Sequence, residues 1–372
     1  MPEIENHLGA LRQKRGISAA HLAKTVGVTR QTIYAMEAGS YVPNTAVALR
    51  LARALEVRVE DLFALPQAES AGLRTEEATL LPGSESLQAG QPVQLCRVNK
   101  RLMASPPSPF PWYFPISDAV VSEKTAKQGR TDVQIFDPAE DFRNRVLIAG
   151  CDPGISVLAH HLQSAGVELV LAHRNSSQSL KLLKDGSVHI AGTHLRDESS
   201  GESNLPEISR MFPRNAVAVV TFAVWEEGII TAAGNPKSIQ GVDDLARRDV
   251  TIVNREKGAG SRALLDSSLK RLRVDSQDVR GYENIAPGHL QAAWQVLSGQ
   301  ADACIATRAA ARVFGLGFHP LVSERYDLVI RRQHLEAPGI QALLDTLNRS
   351  NYRRELESLG GYDTRAAGQR VL

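Results

Sequence analysis

Residues 18–40, SAAHLAKTVGVTRQTIYAMEAGS, constrain the fold more than any other stretch of this chain. Ser18 is a good helix N-cap, and Leu22, Ala23 and Val26 follow it at helical spacing. Gly27 stands where a helix must stop and reverse, since glycine tolerates the left-handed conformation. Thr29 caps a second helix whose apolar Ile33 and Met36 lie three apart and face inward. That leaves Arg30, Gln31, Thr32, Tyr34 and Ala35 on its outer face. An apolar stripe of Ile4, Leu8 and Leu11 precedes the pair. Asn44 caps a further stripe of Val47, Leu51 and Leu55, closing on Val59, Leu62 and Phe63. Five helices over residues 3–65 enclose one small core.

Two helices joined by so tight a turn suit a DNA major groove. The second helix enters N-terminal end first, so Arg30 and Gln31 reach base edges while Thr32 and Tyr34 hold phosphate oxygens. LRQKRGIS, HLAKTVGVTRQTIYAMEAG, Pro43, LARALEV and DLF carry a resemblance to the Xre/phage-repressor type of helix-turn-helix domain. The resemblance implies a sequence-specific DNA-binding head using Ser18, Thr29, Arg30, Gln31, Thr32, Tyr34 and Ala35. It also implies an internal ion pair between Arg12 and Glu37, which makes their charges structural. The first 65 residues hold eight Lys/Arg and six Asp/Glu, and the remainder 35 of each. An excess of two positive charges supports only weak, salt-sensitive binding by a single head. The expected state is therefore a homodimer on a palindromic operator in double-stranded DNA.

With 372 residues and 43% apolar content, the chain has material for two or three ordinary cores. Cys96, Cys151 and Cys304 form no CxxC pair, which fits a reducing cytoplasm. No Cys/His cluster has structural zinc spacing, and adjacent His160 and His161 point apart on a helix, so no metal site is expected. Neither a signal segment nor a membrane-length apolar run is present, so a soluble, cytoplasmic protein without a membrane partner is expected.

Residues 66–90, rich in Pro, Gly, Ser and Glu, read as a linker, and residues 91–144 as a small β-rich connector. VQLCRV and RLMASP form two strands around a turn at Asn99-Lys100, and TDVQIFDP forms another. Between them, the run with Trp112, Tyr113 and Phe114 is either a partner surface or a wrapped, half-buried segment.

From Arg145 strands and helices alternate, the grammar of a parallel sheet covered by helices. Ligands of such sheets sit beyond the carboxyl ends of strands. There the sequence places Cys151-Asp152-Pro153-Gly154, then Arg174-Asn175-Ser176-Ser177, then Gly192-Thr193-His194. After VNRE comes Lys257-Gly258-Ala259-Gly260-Ser261-Arg262, a loop opening a helix. It is either an anion-binding turn, with backbone N–H groups and the helix dipole as donors, or simply a capped helix. Arg308 faces the cleft or caps the next helix. Cys151, Ser156 and Ser261 have no local catalytic partner pattern, and Asp152 reads as a structural cap, so no enzyme activity is expected.

IAGCDPGISVLAHHL, HIAGTHLRDESSGESNLP, GNPKSIQGVDDLAR, VNREKGAGSR, LSGQADACIATRAAAR, SERYDLVI and GGYDT are similar to the PBP-like (type II periplasmic-binding-protein) domain. The resemblance implies a two-lobed α/β domain over residues 145–366, with lobe one at 145–233 and 327–366 and lobe two at 234–326. Two crossing strands join the lobes, and ligand closes the cleft. The implied fold is multidomain: an all-α five-helix head, a β-rich connector and the two-lobed domain. The implied ligand set is Asp152, Gly154, Arg174, Asn175, Ser176, Ser177, Thr193, His194, Asn254, Arg255, Gly258, Gly260, Ser261 and Arg262. GNPKSI and the Asn-Arg…Gly…Ser-Arg loop look like molybdate- and tungstate-binding proteins. A small anion is the expected partner: molybdate, tungstate or a molybdopterin-related species, with no cofactor required. The chain then reads as a ligand-responsive transcriptional regulator; the alternative is a molybdenum-cofactor- or oxyanion-handling protein or enzyme with an accessory DNA- or protein-binding head.

Overall fold

The computed structural model describes residues 4–64, 74–84, 87–107, 116–122, 129–197 and 201–372, in two compact units divided after Gly72. Trp112, Tyr113 and Phe114 lie outside the described residues.

In the first unit, β1 (Glu5–Asn6) leads into α1 (Leu8–Lys14), α2 (Ala19–Val26), α3 (Arg30–Glu37), α4 (Thr45–Leu55) and α5 (Val59–Leu62). The short β2 (Phe63–Ala64) returns antiparallel to β1. The caps lie where local chemistry puts them. Ser18 accepts from His21 N, Thr29 from Thr32 N and Asn44 from Val47 N. Gly27 ends α2 with φ 74°, in the left-handed region. Leu8, Leu22, Val26, Ile33, Met36, Leu51, Leu55 and Leu62 form the core. Arg12 and Glu37 meet above it, with Nε 2.5 Å from Oε1 and Nη2 3.0 Å from Oε2, while Arg12 Nη1 donates to Ile17 O at 2.9 Å.

The second unit begins with a closed five-stranded barrel of β3 (Arg74–Leu80), β4 (Pro92–Val98), β5 (Arg101–Ser105), β6 (Ala119–Val121) and β7 (Arg130–Ile135). Around the barrel the order is β3-β5-β4-β6-β7, with β3 and β5 parallel and every other pair antiparallel. β4 and β5 turn through Asn99 and Lys100, both at positive φ, as a two-residue hairpin requires. β3 corrects the linker assignment, because residues 74–80 are a barrel strand. Its period-2 pattern is hidden by charge: Glu76 is half-buried and paired with Arg74 and Arg97, while Ala78 and Leu80 fill the interior. Cys96, Val98 and Met103 pack on the sheet that follows, and Asn99 and Arg101 donate to Gly186 O.

The larger part of the unit holds a nine-stranded sheet. Its first side runs through β8 (Arg145–Gly150), α6 (Ile155–Gln163), β9 (Glu168–His173), α7 (Ser176–Lys184), β10 (Ile190–Thr193) and α8 (Leu205–Met211). The 15-residue β11 (Val217–Thr231) then crosses to the second side. There lie β12 (Ile252–Arg255), α9 (Gly260–Leu272), β13 (Ile285–Ala286), α10 (His289–Leu297), β14 (Ala303–Thr307) and α11 (Arg308–Val313). The equally long β15 (Gly317–Arg331) crosses back to α12 (Pro338–Leu347), α13 (Ser350–Ser358) and β16 (Tyr362–Asp363). Strand order is β13-β12-β14-β11-β15-β10-β8-β9, and the ninth strand, β16, pairs with β11 off this path. Lobe one, around β8 to β10, packs α6, α12 and α13 on one face and α7 and α8 on the other. Lobe two packs α9 on one face and α10 and α11 on the other. The tail joins lobe one beyond residue 366, since Gly368 N and Val371 N donate to Thr221 O and Val219 O.

Glu37→Ala is expected to destabilise the helical head by roughly 2 kcal/mol, between the value for exposed pairs and that for fully buried ones. Chemical denaturation followed by circular dichroism measures this, with Glu56→Ala as the exposed control.

Candidate functional site

α3 presents the residues expected to face DNA. Arg30, Gln31 and Tyr34 are exposed, and Thr32 and Ala35 are half-buried. The Arg30 guanidinium lies over the Tyr34 ring, 5.3 Å from its centroid, and donates to the phenol oxygen at 3.0 Å. Thr29 and Thr32 share a 2.7 Å hydroxyl contact, so both lean on the helix start, as Ser18 does on α2.

In the second unit the expected ligand residues divide. Asn175 caps α7 and reaches across the cleft, its Nδ2 donating to Lys257 O at 3.3 Å. Beside it Ser177 N meets Gly258 O at 3.5 Å, and Gly258 takes φ 94°, a backbone conformation that side chains rarely adopt. Ser176 Oγ accepts from His194 N at 3.0 Å. A Cβ on Gly260 would lie 2.4 Å from the His194 ring, so α9 starts against that imidazole. Ser261 Oγ donates to the Glu227 carboxylate. The two lobes are therefore in contact over a fully buried polar cluster.

Six expected residues are engaged in other contacts. Arg174 donates to Ser84 Oγ at 3.0 Å and to Pro82 O, which ties it to the barrel loop. Arg262 lies over Tyr282, 4.4 Å from the ring centroid, and donates to Arg255 O. Asn254 bonds Tyr282 O and the Arg255 amide, and Thr193 joins Asn204. Asp152 is structural on its Oδ1, which accepts from Gly154 N at 2.7 Å and Tyr362 OH at 2.5 Å. A Cβ on Gly154 would meet Leu356 and Tyr362. Arg308 pairs with Glu226 at 2.5 Å and stacks on Phe318.

Besides Cys151, which stands at a strand end expected to face ligand, the cluster contains residues that the sequence did not bring there. Glu227 and Trp225 from β11, Glu324 and Tyr326 from β15, His289 at the start of α10 and Cys151 at the end of β8 surround His194. The available signal was Glu226-Glu227 inside a 15-residue apolar strand. Arg255 is 1% exposed and bonds Glu256 through Nε and Nη2, while its Nη1 has no partner. The Trp225 indole N–H, both His289 nitrogens, Glu227 Oε2 and Asp152 Oδ2 also lack hydrogen-bond partners. Buried polar atoms are rarely left so, and each costs about 1–3 kcal/mol when unsatisfied.

Burial raises Asp152 to about 6 against its bonds to Tyr362 and Gly154. Burial and the neighbouring Glu324 raise Glu227 to about 7, against the pull of His194. His289 falls well below the ordinary imidazole value through burial and the charges of Arg255 and His194. His194 rises well above it: burial opposes its charge, but Cys151, Glu324 and Glu227 outweigh that.

An exposed recognition-type helix on one unit and a hinged, polar cleft in the other define a helix-turn-helix transcriptional regulator with a ligand-binding domain. Residues 8–62 match the helix-turn-helix family and residues 159–348 the PBP superfamily domain, and the chain belongs to this PBP-like family. Bacillus subtilis (strain 168) protein YvgK is 37% identical over 248 residues, 66% of this chain and 79% of that protein. The head alone is 42% identical over 64 residues to YgzD, an HTH-type transcriptional regulator of the same organism, covering 17% of this chain and 97% of that one. Among solved structures, a phosphate ABC transporter substrate-binding protein from Clostridium perfringens aligns with TM-score 0.45 and 15% identity, over 59% of this chain and 98% of that one. No helix among the described residues is long and apolar enough to cross a membrane.

Arg30→Ala with Gln31→Ala is expected to abolish sequence-specific retardation of the protein's own upstream DNA and to leave thermal unfolding unchanged, as both side chains are exposed. The cleft makes a pH prediction. Because Glu227 titrates near 7 when folded and near 4.5 when unfolded, its protonated form adds stability that is full below pH 4.5 and lost as pH rises to 7. Glu227→Gln keeps the neutral form, so its stability relative to the wild type should rise by roughly 2 kcal/mol across that window. His173 and His289 titrate the opposite way in both proteins and cancel in the comparison.

Proposed function

We propose that this protein is a ligand-responsive transcriptional regulator that senses a small anion in the cleft of its PBP-like domain and reports it through the affinity or spacing of paired helix-turn-helix heads. The single observation that carries the anion is Arg255, a buried guanidinium with Nη1 unpartnered where the starts of α7 and α9 meet. Helix N-termini favour negative charge, and a buried guanidinium prefers a planar or tetrahedral oxyanion as partner.

Molybdate and tungstate are the leading ligands in this reading. Closure of the lobes around the ligand is the two-state element that a sensor needs. A second reading, a pterin-type or other organic anion, is favoured by Glu227 and Glu324. These carboxylates accept hydrogen bonds, so they suit a ligand that carries N–H or O–H donors and disfavour a bare dianion. The head acts as a homodimer on a palindromic operator, which fits its weak net charge.

Calorimetry with molybdate, tungstate, sulfate and phosphate tests the ligand. Molybdate or tungstate is expected to bind at micromolar or tighter affinity, and Arg255→Met to lose at least tenfold, about 1.4 kcal/mol. Flat titrations for all four anions would remove the inorganic reading and leave the organic one.

A further inference from the structure

Cys151 closes β8, His194 follows β10 and His289 opens α10, so elements of both lobes bring one thiol and two imidazoles together. All three are buried, and their ligating atoms lie within 4.8 Å of one another. Cys151 Sγ is 3.5 Å from His194 Nε2. A tetrahedral ion with bonds of about 2.3 Å to sulfur and about 2.0 Å to nitrogen holds those two atoms about 3.5 Å apart.

The surroundings fit the same purpose. Glu324 Oε2 lies 2.8 Å from His194 Nδ1, which fixes the ring and leaves Nε2 toward the thiol. Carboxylates take this place behind metal-bound imidazoles, setting the tautomer and raising basicity. His289 gives an independent sign: it is 1% exposed, and neither ring nitrogen has a protein partner. The Trp225 and His194 rings pack around it at 5.2 and 5.8 Å, and neither ring bonds those nitrogens. Glu227, 4.0 Å from His194 Nδ1, adds a second carboxylate with an unpartnered oxygen. Acids crowd this end of the cleft.

We propose that Cys151, His194 and His289 form a site for one thiophilic divalent transition metal of the zinc class. One thiolate and two imidazoles select such ions over magnesium, calcium or manganese, which prefer oxygen. Three protein ligands leave one coordination position open, the arrangement of sites whose metal also takes an exogenous group. Cys151 and His194 belong to lobe one and His289 to lobe two, so the ion bridges the lobes and favours their closure. The inference rests on the cleft as the ligand site, and it is independent of which anion the cleft takes.

The test is a cobalt titration of the full chain, freed of metal by chelation, in buffer without molybdate, tungstate or phosphate. The expected result is a sulfur-to-cobalt charge-transfer band that saturates at one ion per chain and is discharged by zinc. Cys151→Ser is expected to abolish the band and His289→Gln to weaken cobalt binding at least tenfold. Cys96→Ala, a thiol in the barrel–lobe one core, is expected to keep it. Should a variant fold poorly, alkylation of the wild type decides the matter, since zinc is expected to slow labelling of Cys151, read by peptide mass, at least tenfold. Absence of the band at any cobalt excess, a band retained by Cys151→Ser, or labelling indifferent to zinc would overturn the proposal. The last outcome would mark Cys151, His194 and Glu324 as a thiol site without metal. Anion calorimetry on the same preparation is read separately, so loss of one reading leaves the other standing.

Discussion

Everything in the larger unit hangs on one antiparallel ladder, the pairing of β11 with β15 from Val217–Arg331 to Thr231–Gly317. Each strand serves both lobes. Residues 217–221 pair with 327–331 beside β10, and residues 227–231 pair with β14 in lobe two. The ladder is interrupted between Thr221 and Ala223 and between Glu227 and Gly228, where the chain passes from one lobe to the other. Gly228 marks the second interruption, because a Cβ there would lie 2.2 Å from His319 O. Irregularities of this kind re-aim side chains and bend the strand. Here Glu227 and Glu324 reach His194, while Trp225 and Tyr326, part of lobe one's core, edge the same cluster.

The same ladder explains why so many polar groups are buried. The polar groups at the crossing lie where the two lobes meet, so closure takes them out of water without giving each a partner. Part of the cost is met inside the cluster, by Ser261 on Glu227, Glu324 on His194 and Asn175 on Lys257 O. The rest falls on Arg255 Nη1, His289 and the Trp225 indole. A closed cleft with unmet donors and acceptors is the state that a ligand stabilises, and this is the physical basis for reading the unit as a sensor.

The head was legible in the sequence down to its caps, because Ser18, Gly27, Thr29 and Asn44 act on their own turns and local chemistry decides them. The alternation of strands and helices from Arg145 was equally plain. The barrel was legible only in part: β4, β5 and β7 stood out as strands, while the charges of β3 disguised it as linker. At the cleft, Asn175, Ser176, Gly258, Gly260 and Ser261 were found through glycine and serine at helix starts. The partners of Arg174 and Arg262 were not legible, because a charged residue at a strand end does not reveal which neighbour will take it: Ser84 for one, Tyr282 for the other. Cys151, His194 and His289 escaped notice as a group since only tertiary structure joins them, and no local spacing records it.

The measurement that bears most directly on the account is the distance between the lobes. Spin labels on Gln163→Cys in lobe one and Lys270→Cys in lobe two, both exposed positions, report it by pulsed dipolar spectroscopy. The native cysteines are buried. A long, broad distribution is expected in the ligand-free chain, narrowing and shortening when the cleft is filled. One narrow distance, unchanged by molybdate, tungstate, organic anion or cobalt, would contradict it.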